Sequence, residues 1–116
     1  MDITCVEISM HLSLMASGDS NGHVVVWDLE LTKVDGVLFG HKGAINDIKF
    51  IQEYPLLVTA SADSTLAIWA VRPAPIEIRN VCLTRFMNIH IKRGEPPETG
   101  ISKICILQGE QRGITQ

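Results

Sequence analysis

Residues 41–69 read HKGAINDIKFIQEYPLLVTASADSTLAIW, a stretch that begins at His41 and ends at Trp69. Two apolar segments in it, 44–50 and 56–60, are rich in β-branched residues, which favour strands. A polar turn around Asp63 separates the second segment from a third apolar segment that ends in Trp69. Serine and aspartate are typical of tight turns because their side chains bond the nearby backbone. The stretch therefore predicts three short strands joined by turns.

The same pattern occurs a second time, 42 residues earlier in the chain. Chemical class is preserved at the matched positions although identity mostly is not. The pairs are Ile45 with Ile3, Ile48 with Val6, Phe50 with Ile8, Leu56 with Leu14, Thr59 with Ser17, Asp63 with Asn21 and Trp69 with Trp27. A repeat of about 40–45 residues that contains short strands is typical of a β-propeller blade. The sequence therefore predicts an all-β repeat fold.

Gly40-His41 and Trp27-Asp28 are the dipeptides by which the chain resembles the WD40-repeat family. The resemblance implies WD40 β-propeller blades, in which a His, a Ser or Thr, an Asp and a Trp form a structural hydrogen-bond network. Carried over to this sequence, the structural tetrad is His41, Thr59, Asp63 and Trp69. The first repeat holds only a partial tetrad, which consists of Ser17, Asn21 and Trp27.

A third copy of the pattern begins at Ile101, where Ile101, Ile104 and Ile106 repeat the spacing of Ile45, Ile48 and Phe50. From Ile45 to Ile101 is 56 residues, so the second repeat is 14 residues longer than the first. Blade one is predicted to span 1–39, with its outer strand at 36–39. The first three strands of blade two are predicted to span 40–71, and an insertion at 72–100 is predicted to include the outer strand of blade two within 81–91. The start of blade three is predicted to span 101–116. A propeller closes with about four to eight blades, so these two and a half blades are expected to belong to a longer propeller.

Composition narrows the class of partner. The net charge is −3, which gives no basic footprint for nucleic acid. No run of about 18 apolar residues is present that could span a membrane. The three cysteines, Cys5, Cys82 and Cys105, have no Cys-x-x-Cys spacing, and their odd number favours a reducing compartment. We therefore expect a cytoplasmic protein that has neither a metal site nor a cofactor.

The sequence contains no Gly-x-Ser-x-Gly elbow and no dinucleotide-binding fingerprint, so it predicts no enzyme. The family resemblance implies a protein–protein interaction scaffold instead. The expected partners are other proteins, the rest of its own propeller, or a second copy that associates through open blades. Five basic side chains of the insertion form a candidate surface for an acidic partner, and the alternative is a solvated loop; the five are Arg79, Arg85, His90, Lys92 and Arg93.

A narrower resemblance comes from the segment 53–59, EYPLLVT, together with the proline-bounded insertion after Trp69. Both are similar to features of the large WD-repeat proteins of cilia and flagella. This resemblance implies a role in a ciliary or microtubule-associated assembly, with the protein located in the cytoplasm, the cilium or the cytoskeleton. The alternative is a substrate-recruiting WD-repeat subunit of an enzyme complex such as a ubiquitin ligase.

Overall fold

The computed structural model describes residues 2–51 and 53–87, and within these ranges the chain forms eight β-strands and no helix. The strands are β1 (Ile3–Ser9), β2 (Leu14–Asp19), β3 (Val24–Asp28), β4 (Lys33–Leu38), β5 (Ile45–Ile51), β6 (Leu56–Ser61), β7 (Thr65–Ala70) and β8 (Cys82–Met87). Strands β1 to β4 form one antiparallel sheet in that order, and β5 to β8 form a second one in the same way. The predicted all-β fold is confirmed by these two sheets, which we call blade one and blade two.

Tight turns explain why consecutive strands are neighbours in each sheet. Between β2 and β3, the Gly22 N–H donates to the carbonyl oxygen of Asp19 over 3.2 Å. Gly22 has a φ of +92°, a conformation that glycine adopts readily because it has no Cβ. At the matching turn of blade two, the Ser64 N–H donates to the carbonyl oxygen of Ser61 over 3.1 Å. A short connection of this kind allows only an antiparallel pairing.

The two blades pack face to face, with β5 lying against β1 and β2. The blades approach closely at Gly18 and Ile45, since a Cβ added at Gly18 would lie 2.6 Å from the Ile45 Cβ. The Thr4 hydroxyl donates to the carbonyl oxygen of Ile45 over 2.6 Å at the same place. The core between the sheets is formed by apolar side chains of both blades: Leu14, Ala16, Val24, Val26, Leu38, Ile45, Ile48, Phe50, Leu57, Ala67, Trp69 and Val71.

The opposite side of blade one has no such cover in the described part of the chain. Ile3, Val6 and Ile8 of β1 are 60%, 51% and 52% exposed. Their counterparts in the second repeat, Ile45, Ile48 and Phe50, are 0%, 1% and 7% exposed because blade one covers them. The same sequence pattern therefore gives a buried face in one blade and an open face in the other.

The outer strand of blade one differs from its predicted bounds of 36–39. Strand β4 begins at Lys33 and ends at Leu38. It starts earlier than predicted because Lys33 pairs with Asp28 and Val34 with Trp27, and a register shift between Val26 and Trp27 then accommodates one extra residue. A bulge of this kind bends the strand and interrupts a simple alternation of side chains, which is why the sequence pattern did not reveal the first three residues.

The connection before the outer strand is longer in blade two than in blade one, where it spans only 29–32. In blade two it spans 71–81, the first part of the predicted insertion, and β8 lies within the range 81–91 predicted for the outer strand. The connection turns back onto blade one: Arg72 Nη2 lies 3.3 Å from Asp28 Oδ1, and the Asn80 side chain contacts Gly36. The first part of the insertion therefore joins the two blades.

Other predictions fall outside the described residues. They include the third repeat at 101–116, the later part of the insertion and Cys105. As for membrane spans, the part of the chain that the structure describes offers no helix with the length and apolarity to cross a bilayer.

Candidate functional site

The buried polar centre of blade two is built around His41, which is 7% exposed. His41 follows the connection from β4, and its ring reaches side chains of β6 and β7. Its Nε2 lies 2.7 Å from the Thr59 hydroxyl, and its Nδ1 lies 2.8 Å from the Thr65 hydroxyl. On the other side of Thr59, the indole Nε1 of Trp69 donates to the same hydroxyl over 2.9 Å. Both strands of the β6–β7 hairpin and the loop between the blades therefore meet at one imidazole.

The chemistry of the groups determines the direction of every hydrogen bond in this network. The Trp69 indole can only donate, so the Thr59 oxygen accepts from it. Thr59 donates its own proton to His41 Nε2, because that nitrogen is an acceptor in a neutral imidazole protonated on Nδ1. On the far side the Thr65 hydroxyl donates to the Asp63 carboxylate, so it accepts from His41 Nδ1–H. The network is thus one continuous chain from Trp69 through Thr59, His41 and Thr65 to Asp63, and it requires a neutral imidazole with its proton on Nδ1.

The ionisation of His41 agrees with that proton arrangement. Burial lowers the pKa of His41, and the neighbouring Asp63 charge opposes this effect only in part, so the net pKa lies below the ordinary value of 6.5. A proton added at Nε2 would also prevent the Thr59 hydroxyl from donating there. His41 is therefore neutral near pH 7.

Asp63 is held as a carboxylate by three donors. Its Oδ2 accepts the Lys42 N–H over 2.7 Å, and its Oδ1 accepts the Thr65 N–H over 2.9 Å together with the Thr65 hydroxyl. Burial raises the pKa of Asp63, but these donors lower it, and the net pKa lies below the ordinary value of 3.8. His41 Nδ1 lies 3.6 Å from Asp63 Oδ2, too far for a hydrogen bond, so Thr65 mediates their link.

The structure therefore brings together the four side chains of the predicted tetrad and adds two that the sequence reading missed, Thr65 and Ser61. Ser61 Oγ donates to the carbonyl oxygen of Gly43 over 3.0 Å and accepts the Asp63 N–H over 3.1 Å. The signal for both residues was a spacing of two around Asp63, because Ser and Asp side chains commonly bond the backbone two residues later.

In blade one the partial tetrad is arranged differently. Trp27 Nε1 donates to Ser17 Oγ over 3.4 Å, a longer bond than its counterpart in blade two. Asn21 is exposed and takes part through its backbone N–H, which donates to Asp19 Oδ1 over 2.8 Å. Ser17 and Trp27 thus come together, and the side chain of Asn21 does not join them.

Asp19 organises the turn of blade one. Its buried carboxylate accepts the His23 N–H over 3.0 Å as well as that of Asn21. Burial raises the pKa of Asp19, but these backbone donors and the nearby His23 ring lower it below the ordinary value of 3.8. The position of Asp19, two residues before Asn21, was the signal for this role.

The candidate partner surface is described only at two of its residues. Arg79 Nε and Nη2 both donate to the carbonyl oxygen of Ala74, over 3.0 and 2.8 Å, so this guanidinium closes the loop 71–81. Arg85 is exposed on β8, with its guanidinium against Gly40. The remaining members, His90, Lys92 and Arg93, lie outside the described residues.

The arrangement around His41 suits a structural role and does not suit catalysis or metal binding. Both nitrogens of His41 are occupied by hydroxyl groups, so the imidazole can neither bind a metal ion nor remove a proton from a substrate. Among residues 2–51 and 53–87, no three His, Cys, Asp or Glu side chains are placed to hold a metal ion together. The site therefore fastens the turn of blade two to its strands.

Comparison with known proteins identifies the class. The family model described as "WD domain, G-beta repeat" matches residues 1–28 and 32–70, which is more than half of the chain. This chain therefore belongs to the WD40-repeat family, and the predicted family is confirmed. Propellers of this family generally serve as non-enzymatic modules that bind other proteins.

Two curated relatives and one solved structure illustrate the match. The chain is 37% identical over 70 residues to the WD repeat-containing protein 89 homolog of Dictyostelium discoideum, which covers 59% of the chain and 20% of the relative. It is 37% identical over 73 residues to the Set1 complex component swd1 of Schizosaccharomyces pombe, which covers 63% of the chain and 18% of the relative. The β-propeller domain of Myceliophteria thermophila Cps50 (Swd1) superposes with a TM-score of 0.64 at 24% identity, over 74% of this chain and 26% of that one.

The chain spans a fifth or less of the length of these two curated relatives. The solved structure shows the fold alone at this level of identity. The activities and partners of these relatives therefore enter only as support for a proposal about this chain.

Proposed function

We propose that this chain is part of a non-catalytic scaffold that holds proteins together in an assembly. The observation that carries the proposal is the closed hydrogen-bond chain from Trp69 to Asp63, because it uses the buried polar groups of blade two for structure. The exposed surface of the blades is therefore the part of the chain proposed to bind partners. The name of one relative, a component of the Set1 complex, supports a role within an assembly.

The proposed partner is protein, and neither nucleic acid nor a membrane. The net charge of −3 supports this choice, since a nucleic-acid interface needs a concentration of basic side chains. The open face of blade one, with Ile3, Val6 and Ile8, is proposed to be covered by a further blade of the same propeller or by a second copy. Its counterpart in blade two is buried in just this way, which supports the proposal.

The narrower proposal places the assembly in the cilium or on microtubules, within the cytoplasm. Its support is the resemblance of the segment 53–59 and of the insertion to large ciliary WD-repeat proteins. A substrate-recruiting subunit of an enzyme complex, such as a ubiquitin ligase, is the alternative that the following experiment distinguishes.

The test is affinity purification of the tagged full-length protein from ciliated cells after mild crosslinking, with quantitative mass spectrometry of the partners. We expect proteins in fixed stoichiometry with the bait, and axonemal proteins or tubulin among them. Ligase subunits in their place would favour the alternative. Recovery of the bait alone, at physiological salt and without crosslinked partners, would contradict a scaffold.

A further inference from the structure

The connection from blade one to blade two crosses one end of the sheets at Gly40, and four residues with exposed or partly exposed side chains lie near it in the chain or in space. We call this surface the junction rim and define it by His23, Phe39, Lys42 and Arg85. It lies at the end where β4 leaves blade one, on the same side as the turns that follow β2 and β6. None of these four side chains belongs to the hydrogen-bond chain from Trp69 to Asp63.

Phe39 is the apolar part of the junction rim and is 66% exposed. Its ring meets the His23 ring edge-on, with 5.3 Å between centroids and an angle of 76°. His23 is itself held by its backbone N–H bond to the buried Asp19. An exposed aromatic ring on such a support loses little freedom when a partner covers it, which favours binding.

Two exposed cations lie close to Phe39, Lys42 three residues later in the chain and Arg85 against the adjoining Gly40. The Arg85 guanidinium rests against Gly40, where a Cβ would collide with it, so the absence of a side chain at that position makes room for the guanidinium. Lys42 is exposed, and its backbone N–H is fixed by Asp63. Among the ion pairs between described residues, none involves Lys42 or Arg85. The nearby Asp19 and Asp63 are charged, but their side chains are only 5% and 15% exposed and their carboxylates accept donors within their own turns. Lys42 and Arg85 are exposed, so the charge that a partner can reach beside the apolar ring is positive.

We propose that the junction rim binds an acidic peptide segment of a partner protein, with an apolar side chain of that segment placed on Phe39. Aromatic residues and arginine are enriched at the centres of protein interfaces, and charge complementarity selects the partner. A protein segment fits better than nucleic acid because the two exposed cations of the junction rim are too few for the several phosphate contacts of a nucleic-acid site. This inference rests on the proposed scaffold function and specifies the chemistry of one of its partners.

The experiment measures fluorescence anisotropy of three labelled octapeptides titrated with the full-length protein. The first probe is Glu-Asp-Glu-Leu-Phe-Glu-Asp-Glu, the second replaces Leu-Phe by Gly-Ser, and the third replaces all acidic residues by Lys. We expect the first probe to bind tightest. Its affinity should fall as the salt concentration rises, because salt screens the attraction between exposed charges of opposite sign.

Charge reversal at the rim, Arg85→Glu or Lys42→Glu, is expected to weaken binding of the first probe about tenfold, and Phe39→Ala by a similar factor. The matched controls are Lys33→Glu and Tyr54→Ala, which change an exposed cation and an exposed aromatic ring at the opposite end of the blades. These controls should leave the affinity within about twofold, and thermal melts should show that all variants are folded.

Equal binding of the acidic and basic probes, or equal losses in rim and control variants, overturns the proposal. So does failure of the first probe to bind, including the case in which a single-stranded oligonucleotide binds instead. If stoichiometric partners are still recovered with the tagged protein in any of these cases, the scaffold function stands and only the junction rim is excluded.

Discussion

Replacement of Thr59 by valine tests the buried network most directly, because valine has nearly the same shape and lacks only the hydroxyl. Thr59 is fully buried, and its oxygen bonds both Trp69 Nε1 and His41 Nε2. In the Thr59→Val variant an indole donor and an imidazole acceptor lose their partner at once, in a place that water does not reach.

The expected cost follows from these two losses. A buried polar group left without a partner costs about 1–3 kcal/mol. With two such groups, and some relief because valine is less costly to bury than a hydroxyl, we expect the free energy of unfolding to fall by about 3 kcal/mol. Urea unfolding of the full-length protein, followed by tryptophan fluorescence, measures this change.

The matched control is Ser17→Ala in blade one. The Ser17 hydroxyl accepts a longer bond, 3.4 Å, from a Trp27 that is only partly buried. Its loss should cost at most about 1 kcal/mol. If Thr59→Val destabilises the protein no more than Ser17→Ala does, the directed chain of hydrogen bonds through His41 contributes nothing and the reasoning is refuted.

Three further predictions concern pH, packing and the contact between loop and blade. The pKa of His41 is lower in the folded than in the unfolded chain, so the unfolded chain binds more protons as pH falls through 6.5, and the free energy of unfolding should decrease there. Unfolding curves between pH 8 and 5 should show this decrease in the wild type and not in His41→Gln. Gly18→Ala should lower the free energy of unfolding by about 1–3 kcal/mol because the new Cβ would lie 2.6 Å from the Ile45 Cβ. An unchanged urea midpoint would argue against the close contact of the blades. Arg72→Met should cost no more than about 1 kcal/mol, since the Arg72 Nε and Nη2 atoms make no hydrogen bond that the substitution would remove. Asp28→Ala should cost more because it also removes the acceptor of the Glu30 and Leu31 N–H groups, and equal thermal shifts in the two variants would contradict this account.

Much of the fold could be predicted because its signals are local. Turn-forming residues around Asp63 and the alternation of apolar side chains act over a few residues, so the strands of both repeats were readable. The tetrad was implied by the resemblance to the WD40-repeat family. Thr65 was missed because its place between His41 and Asp63 depends on how a loop from one blade meets a strand of the next.

The sequence by itself determined the repeat, the strands and the family, because periodicity and turn chemistry depend on neighbours along the chain. Only the tertiary structure decided that Ile45 is buried while the equivalent Ile3 is open, since burial depends on which sheet lies alongside. The same holds for Arg85 beside Gly40 and for Arg72 beside Asp28. Such contacts join residues far apart in the chain at separations of a few ångströms, and the spacing of residues in a sequence does not encode distances of that kind.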